Sequence, residues 1–345
     1  MLELKGLVEA AGGQVVATIA QMNAQPNPTT LIGKGKVEEV YQAIAENQAD
    51  TIVFLQELSG SQIRNLEDYF DRKVLDRTNL ILDIFAMRAR SHEGKLQVKL
   101  AQLNYRLPRL VGYRKYLSRL GGGIGTRGPG EQKLEVDRRH IQREIKNIRS
   151  KLKKVKLHRQ QTRSQRLKSK QPLVSLVGYT NAGKSTIMNQ LLKLSNHQNG
   201  KDVLVKDMLF ASLDPSVRSI VIDENFEFLV VDTVGFVSDL PTLLVESFNS
   251  TLEEIEYSDL IAIVLDASSP QLSHQLETTN AVLEQLKVSE TPTLLIYNKS
   301  DLVDPLLNLE NGRSAIHISA FKDEDIKELI ERFRTLLDDE NDNIV

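Results

Sequence analysis

Gly178-Tyr179-Thr180-Asn181-Ala182-Gly183-Lys184-Ser185 is a G-x-x-x-x-G-K-S run, and it leaves the surrounding chain few choices. The apolar residues 172–177 before it read as a buried strand, and residues 187–194 after it read as a helix. In a strand–loop–helix setting the glycines let backbone N–H groups turn toward a phosphate chain. The helix that follows aims its positive dipole end at the same anion. Lys184 is expected to reach the β- and γ-phosphates, and the Ser185 hydroxyl to sit on Mg²⁺.

Two later motifs decide which nucleotide. Residues 226–231 form an apolar run ending in Asp232-Thr233-Val234-Gly235. A carboxylate at such a strand tip holds Mg²⁺ through water, and the Gly235 N–H then touches the γ-phosphate. Residues 260–265 and 293–297 read as two further buried strands, the second running into Asn298-Lys299-Ser300-Asp301. The Asp301 carboxylate matches the paired N1–H and amine donors of guanine. Adenine has no such pair, and a buried carboxylate left unpaired is costly, so ATP is rejected. Asn298 is expected to brace the loop and Lys299 to lie over the base. Ser319-Ala320-Phe321 follows a strand at 315–318, and the Ala320 N–H is the expected donor to guanine O6. Short motifs in this order, at the carboxyl ends of strands, predict a Ras-like G domain over residues 171–345. Lys184 and Gly235 are the expected catalytic groups.

Between Ser185 and Asp232, the segment Phe210-Ala211-Ser212-Leu213-Asp214 is the candidate switch. Ser212 is expected to bring a second hydroxyl to Mg²⁺. Phe236 stands where a water-orienting glutamine is common. Slow intrinsic hydrolysis, assisted by a partner, is the expectation.

Charge is distributed unevenly. Residues 1–170 carry 32 Lys and Arg against 17 Asp and Glu, whereas residues 171–345 carry 12 against 29. Such asymmetry points to a polyanionic partner for the first half alone. Residues 1–105 alternate strand-like and helix-like segments: strands at 14–20, 51–56 and 73–76, helices at 34–47 and 61–70. That order predicts a small α/β domain with a parallel sheet. Gly33-Lys34-Gly35-Lys36 has too short a spacing for a phosphate loop and reads as a turn before a helix.

Residues 106–170 are expected to form a basic helical hairpin. Leu96, Leu100 and Leu103 share a helical face, and Pro108 is expected to kink or end that helix. The glycine-dense stretch 121–130 is a connector, since no regular element tolerates that composition. From Glu131 to about Lys170 one long helix is expected, with Leu134, Ile141, Ile145, Ile148, Leu152 and Val155 along one stripe. Its other face carries Arg138, Arg139, Arg143, Lys146, Arg149, Lys151, Lys153, Lys154, Lys156, Arg159, Arg163, Arg166, Lys168 and Lys170. Such a face binds nucleic acid through phosphates and counterion release, reading shape rather than sequence. Tyr113 and Tyr116 stand near the hairpin tip, where stacking on bases and core packing are both open to them.

The chain has no cysteine and therefore no disulfide. It shows no apolar run of the ~20 residues a bilayer span requires and no signal-peptide pattern. A cytoplasmic monomer without a membrane span is expected.

The run Gly121-Gly122-Gly123-Ile124-Gly125-Thr126-Arg127-Gly128-Pro129-Gly130-Glu131, with Leu134-Glu135 and Asp137-Arg138-Arg139, resembles the signature of the HflX GTPases. Phe210 to Pro215 and Asp232 to Phe236 are similar to that family's switch motifs. Asp76-Arg77-Thr78, residues 80–86 and residues 92–97 match its amino-terminal half. Three departures stand out: Gln132-Lys133 replaces a Thr-Gln pair, Ser212 replaces a threonine, and the carboxy-terminal extension of longer members is absent. The resemblance implies hydrolysis of GTP to GDP and phosphate. It also implies binding to the large ribosomal subunit and the intact ribosome, and ribosome splitting under stress. The same residues leave open a passive dormancy or assembly factor licensed by GTP. An ATP-driven RNA remodelling enzyme is the third reading.

Overall fold

The computed structural model describes residues 2–22, 25–110, 129–168, 171–195, 216–237, 254–288, 290–303 and 314–342. They fall into two compact units, residues 1–87 with 95–155, and residues 88–94 with 156–345. The expectations for residues 111–128, including Tyr113, Tyr116 and the glycine run up to Gly128, lie outside the described residues.

In the first unit the order is α1 (Leu2–Ala10), α2 (Lys34–Asn47), β1 (Thr51–Phe54), α3 (Gly60–Phe70), β2 (Lys73–Asp76) and α4 (Arg77–Arg88). β1 and β2 pair in parallel, with Thr51 opposite Lys73 and Phe54 opposite Asp76. Ser59 caps α3 with its side chain while Gln62 reaches back to the Ser59 N–H, so two end donors are satisfied at once. Val37, Ile44, Phe54, Leu58, Leu66, Phe70 and Val74 make the core between these elements. Residues 14–20 are not a strand: the segment is largely exposed and has no ladder partner among the described residues. Apolar alternation favours a strand only where a neighbour offers a matching edge.

Most of α5 (His92–Arg109) and residues 129–155 of α6 (Pro129–Lys168) complete this unit. Pro108 lies inside α5, one residue before its last residue, Arg109. Leu96, Leu100 and Leu103 of α5 pack on Ile145 and Ile148 of α6, with Leu107, Ile141 and Leu152 at the margin. Steps of three, four and seven on both sides produce this seam. Lys99 and Glu144 pair across it. α6 begins two residues before the expected Glu131, at Pro129, a residue whose fixed φ suits a first turn.

The second unit holds a six-stranded sheet of order β4-β5-β3-β6-β7-β8. Its strands are β3 (Leu173–Val177), β4 (Ser216–Asp223), β5 (Phe226–Asp232), β6 (Leu260–Asp266), β7 (Thr293–Asn298) and β8 (Ala315–His317). All neighbours are parallel except β4, which turns back antiparallel on β5. The parallel strands are apolar on both faces because helices cover both. These helices are α7 (Lys184–Leu194), α8 (Leu272–Gln285) and α9 (Asp323–Asp342). Ile326, Leu329, Ile330, Phe333 and Leu337 give α9 a continuous apolar stripe against the core. Arg334 ties the same helix to Asp223 and lies over the Phe226 ring at 4.8 Å. No helix among the described residues is long and apolar enough to cross a membrane.

Candidate nucleotide site

β3 ends at Val177, and the loop to α7 begins at once. Gly183 caps α7 with φ 101°, a conformation side chains avoid, and a Cβ there would overlap Asn298 Nδ2. That overlap records how closely Asn298 is seated. Its Nδ2 donates to Ala182 O at 2.8 Å, and its Oδ1 accepts from Ala320 N at 3.0 Å. One buried amide therefore joins the phosphate-loop segment, the end of β7 and the segment after β8. The sequence assigned Asn298 this bracing task. The Ala320 N–H, expected to address guanine O6, instead donates to Asn298, because the buried amide oxygen lies within its reach.

Lys184 is buried, and Nζ donates to Gly178 O at 3.0 Å and Tyr179 O at 2.8 Å. Burial pushes its pKa down to about 8, partly offset by the Asp232 charge. Ser185 Oγ donates to Asp232 Oδ2 at 2.6 Å, so the two groups expected around Mg²⁺ already lie together. Thr233 Oγ1 donates to Leu176 O at 2.8 Å and holds the end of β5 against β3. Beyond it, Thr180 N donates to Phe236 O at 2.8 Å and Phe236 N to Gly178 O at 3.0 Å. This parallel bridge between Tyr179 and Phe236 brings the Asp232–Gly235 segment onto the loop. Val234, Gly235 and Phe236 are all buried, and the Phe236 ring is 2% exposed, part of the core.

Lys299, in the left-handed region at φ 61°, pairs with Asp266 Oδ2 at 2.7 Å. Ser300 N donates to Ile318 O at 3.1 Å, fixing the turn that presents the exposed Asp301. Ser319 N donates to Asp325 Oδ2 at 2.6 Å, and Phe321 is 77% exposed beside them. Asp266 and Asp325 were missed by sequence reasoning. Asp266 could have been found as the acid closing the apolar run of β6, and Asp325 as an acid in the first turn of α9. Gly178, Tyr179, Thr180, Asn181, Ala182, Gly183, Lys184 and Ser185 thus share one sheet edge with Asp232, Thr233, Val234 and Gly235. Asn298 brings Lys299, Ser300 and Asp301, and Ser319, Ala320 and Phe321, to the same edge. Phe210, Ala211, Ser212, Leu213 and Asp214 lie outside the described residues.

On α6, Arg138, Arg139, Arg143, Lys146, Arg149, Lys151, Lys153, Lys154 and Lys156 are exposed, while Ile145 and Ile148 are buried. The basic face and the apolar seam are opposite sides of one helix.

Three family descriptions match the chain in series. "GTP-binding GTPase N-terminal" covers residues 1–86, "GTP-binding GTPase Middle Region" 88–166, and "50S ribosome-binding GTPase" 173–299. The chain is 51% identical to the GTPase HflX of Caldanaerobacter subterraneus subsp. tengcongensis over 318 residues, 92% of this chain and 72% of that one. It is 44% identical to the GTPase HflX of Escherichia coli K12 over 302 residues, 88% of this chain and 69% of that one. Among solved structures it is similar to a GTP-binding protein from Sulfolobus solfataricus in complex with GDP. That likeness has 25% identity and a TM-score of 0.51, and covers 98% of this chain and 95% of the other.

Proposed function

The chain belongs to the GTPase HflX family, and from that premise we propose that it is a GTP-operated switch whose basic half grips the large ribosomal subunit. The reaction is GTP plus water to GDP plus phosphate. The assignment of roles rests on one observation above others, the Asn298 clasp that holds the phosphate loop and the guanine-reading turn in a single rigid frame. Within that frame Lys184 and the loop amides bind the phosphates, the Gly235 N–H senses the γ-phosphate, and Asp301 reads the guanine. Once these donors have exchanged their protein partners for the phosphates, charge developing on the transferring group meets them already in place.

Ser185 Oγ and Asp232 Oδ2, 2.6 Å apart, are the hard oxygen donors that Mg²⁺ takes. Among the described residues no cluster of three His, Cys, Asp or Glu exists, which suits a cation held by few protein groups and by substrate phosphates. Ser185 fits the ion and would hold it with Asp232 behind it, and Ser212 is the second hydroxyl we assign to it. When bound, Mg²⁺ supplies charge neutralisation on the phosphate oxygens. Phe236, buried in the core, does not orient water, so intrinsic hydrolysis is slow and the ribosome accelerates it.

We divide the chain into an amino-terminal domain over 1–105, a basic hairpin over 106–170 and a G domain over 171–345, acting as a cytoplasmic monomer. The exposed basic face of α6 supports a salt-dependent grip on ribosomal RNA. The γ-phosphate's contacts with the Ser212 and Gly235 segments bias that grip, and in the family's manner the bound factor splits intact ribosomes under stress. Sedimentation with large subunits and with intact ribosomes, across GTP, GDP and a non-hydrolysable analogue, tests the reading. Pelleting is expected to be strongest with the triphosphates and to weaken steeply with salt. Pelleting indifferent to the nucleotide would overturn it. Light scattering of intact ribosomes separates splitting from passive binding, which leaves the signal flat.

A further inference from the structure

The glutamine's absence at position 236 leaves the attacking water without an evident partner, and one side chain nearby is in an unusual position. Thr180 is 6% exposed, and its Oγ1, fully buried, has no hydrogen-bond partner among the described residues. A buried hydroxyl without a partner forfeits its hydration for nothing, so such a group calls for a specific explanation. Its own N–H is engaged, donating to Phe236 O. The hydroxyl has no such partner.

Its place in the fold says what the partner is. Thr180 is the third residue of the phosphate loop and packs directly on Gly235, where a Cβ would come to 2.6 Å from Thr180 Cα and 2.7 Å from Cγ2. Gly235 is the residue read above as the γ-phosphate sensor; the backbone and methyl of Thr180 make this contact, and the unpartnered hydroxyl is carried on the same side chain. Phe236 cannot serve there, with its ring in the core and both its backbone groups bonded to the loop.

We propose that Thr180 is a catalytic residue of the GTPase reaction, its hydroxyl accepting a hydrogen bond from the attacking water and donating one to a γ-phosphate oxygen. This rests on the site reading given above. In the step itself a water lone pair forms the new bond to the γ-phosphorus. The bond from that phosphorus to the β–γ bridging oxygen breaks, and its electron pair stays on GDP. The water proton passes to the released phosphate, and the threonine is returned unchanged.

The test compares Thr180→Val, which keeps the shape and removes the hydroxyl, with Thr180→Ser, which keeps the hydroxyl and removes the methyl. Three quantities are measured on the full chain: affinity for GDP and for a non-hydrolysable GTP analogue, single-turnover GTP hydrolysis, and formation of a complex with GDP and aluminium fluoride. For Val, hydrolysis is expected to fall about 100-fold, as when a donor to transition-state charge is removed. The fluoride complex should be lost, while both affinities stay within about threefold, the small change left when uniform binding is preserved. Ser should recover most of the rate. Val hydrolysing at the wild-type rate would overturn the proposal alone. So would a Val chain whose loss lies wholly in nucleotide affinity, or a Ser chain as slow as Val. A wild-type chain that binds no guanine nucleotide would overturn the site reading and the proposal together.

Discussion

Nucleotide binding should take up a proton, and Lys184 sets the amount. In the chain alone burial pushes the Lys184 pKa down to about 8 from its usual 10.5, against the opposing pull of Asp232. Beside the β- and γ-phosphates the ammonium gains several negative charges, which push its pKa back up toward the ordinary lysine range. Only the protonated form is competent to bind at full strength. That form is about nine-tenths of the population at pH 7 and about one-tenth at pH 9, so the apparent affinity for GDP or GTP falls about tenfold between them. Proton uptake rises from about 0.1 per nucleotide at pH 7 to about 0.5 at pH 8 and 0.9 at pH 9. Isothermal titration calorimetry in buffers of different ionisation enthalpy reads that number directly. The folded-state value lies below the unfolded one, so Lys184 costs stability below about pH 8. The cost fades as pH rises toward 10.5, a gain of about 3 kcal/mol that Lys184→Met should lack. Uptake near zero from pH 7 to 9 would refute the reasoning.

Asn298→Ala leaves Ala182 O and Ala320 N without their partner, and should cost about 2–4 kcal/mol of G-domain stability together with most guanine affinity, read by thermal melting with and without GDP. Leu100→Ala opens the seam between α5 and α6 and should cost about 2–4 kcal/mol in denaturant unfolding, with GDP affinity unchanged. Replacing Lys146, Arg149 and Lys153 by Gln should lower large-subunit binding and reduce its salt slope by about 3, leaving the seam and nucleotide binding intact; binding titrated across salt concentrations checks it.

The sequence was most legible where burial is complete. β3, β5, β6 and β7 are covered on both faces, so each appears as a largely apolar run, broken only by Ser175 in β3 and Glu227 in β5, and the motifs at their ends follow from them. β4 was missed because only Ile220 of its eight residues is buried and Ser216, Arg218 and Ser219 dilute the pattern of an edge strand. Residues 14–20 show the opposite error. Their alternation is local, whereas a strand needs an edge to join, and propensity carries no information about edges. α1, nine residues long, went unread for want of length. In the site, residue types were readable but allegiances were not. That Lys299 pairs with Asp266, and Ala320 N with Asn298, depends on distances between strand ends far apart in sequence.

Those allegiances govern how the switch works. Lys184 Nζ, Ser185 Oγ and the Thr180 N–H all have protein partners in this structure, so a triphosphate must take over donors already in use. Binding is then an exchange of hydrogen bonds, whose net value is a small fraction of the gross. A small net value is what lets a distant event matter: a coupling of 1–3 kcal/mol, about 5- to 150-fold in affinity, is comparable to the balance itself. The exchange also concerns one bridge in particular. Moving the Asp232–Gly235 segment toward or away from a γ-phosphate strains or frees the pair of bonds between Phe236 and the loop. Phe236 is itself buried, so one end of that bridge is held in packed protein and not in solvent. On the proposed reading, the phenylalanine that stands in place of a water-orienting glutamine gives the segment a buried anchor beside the loop.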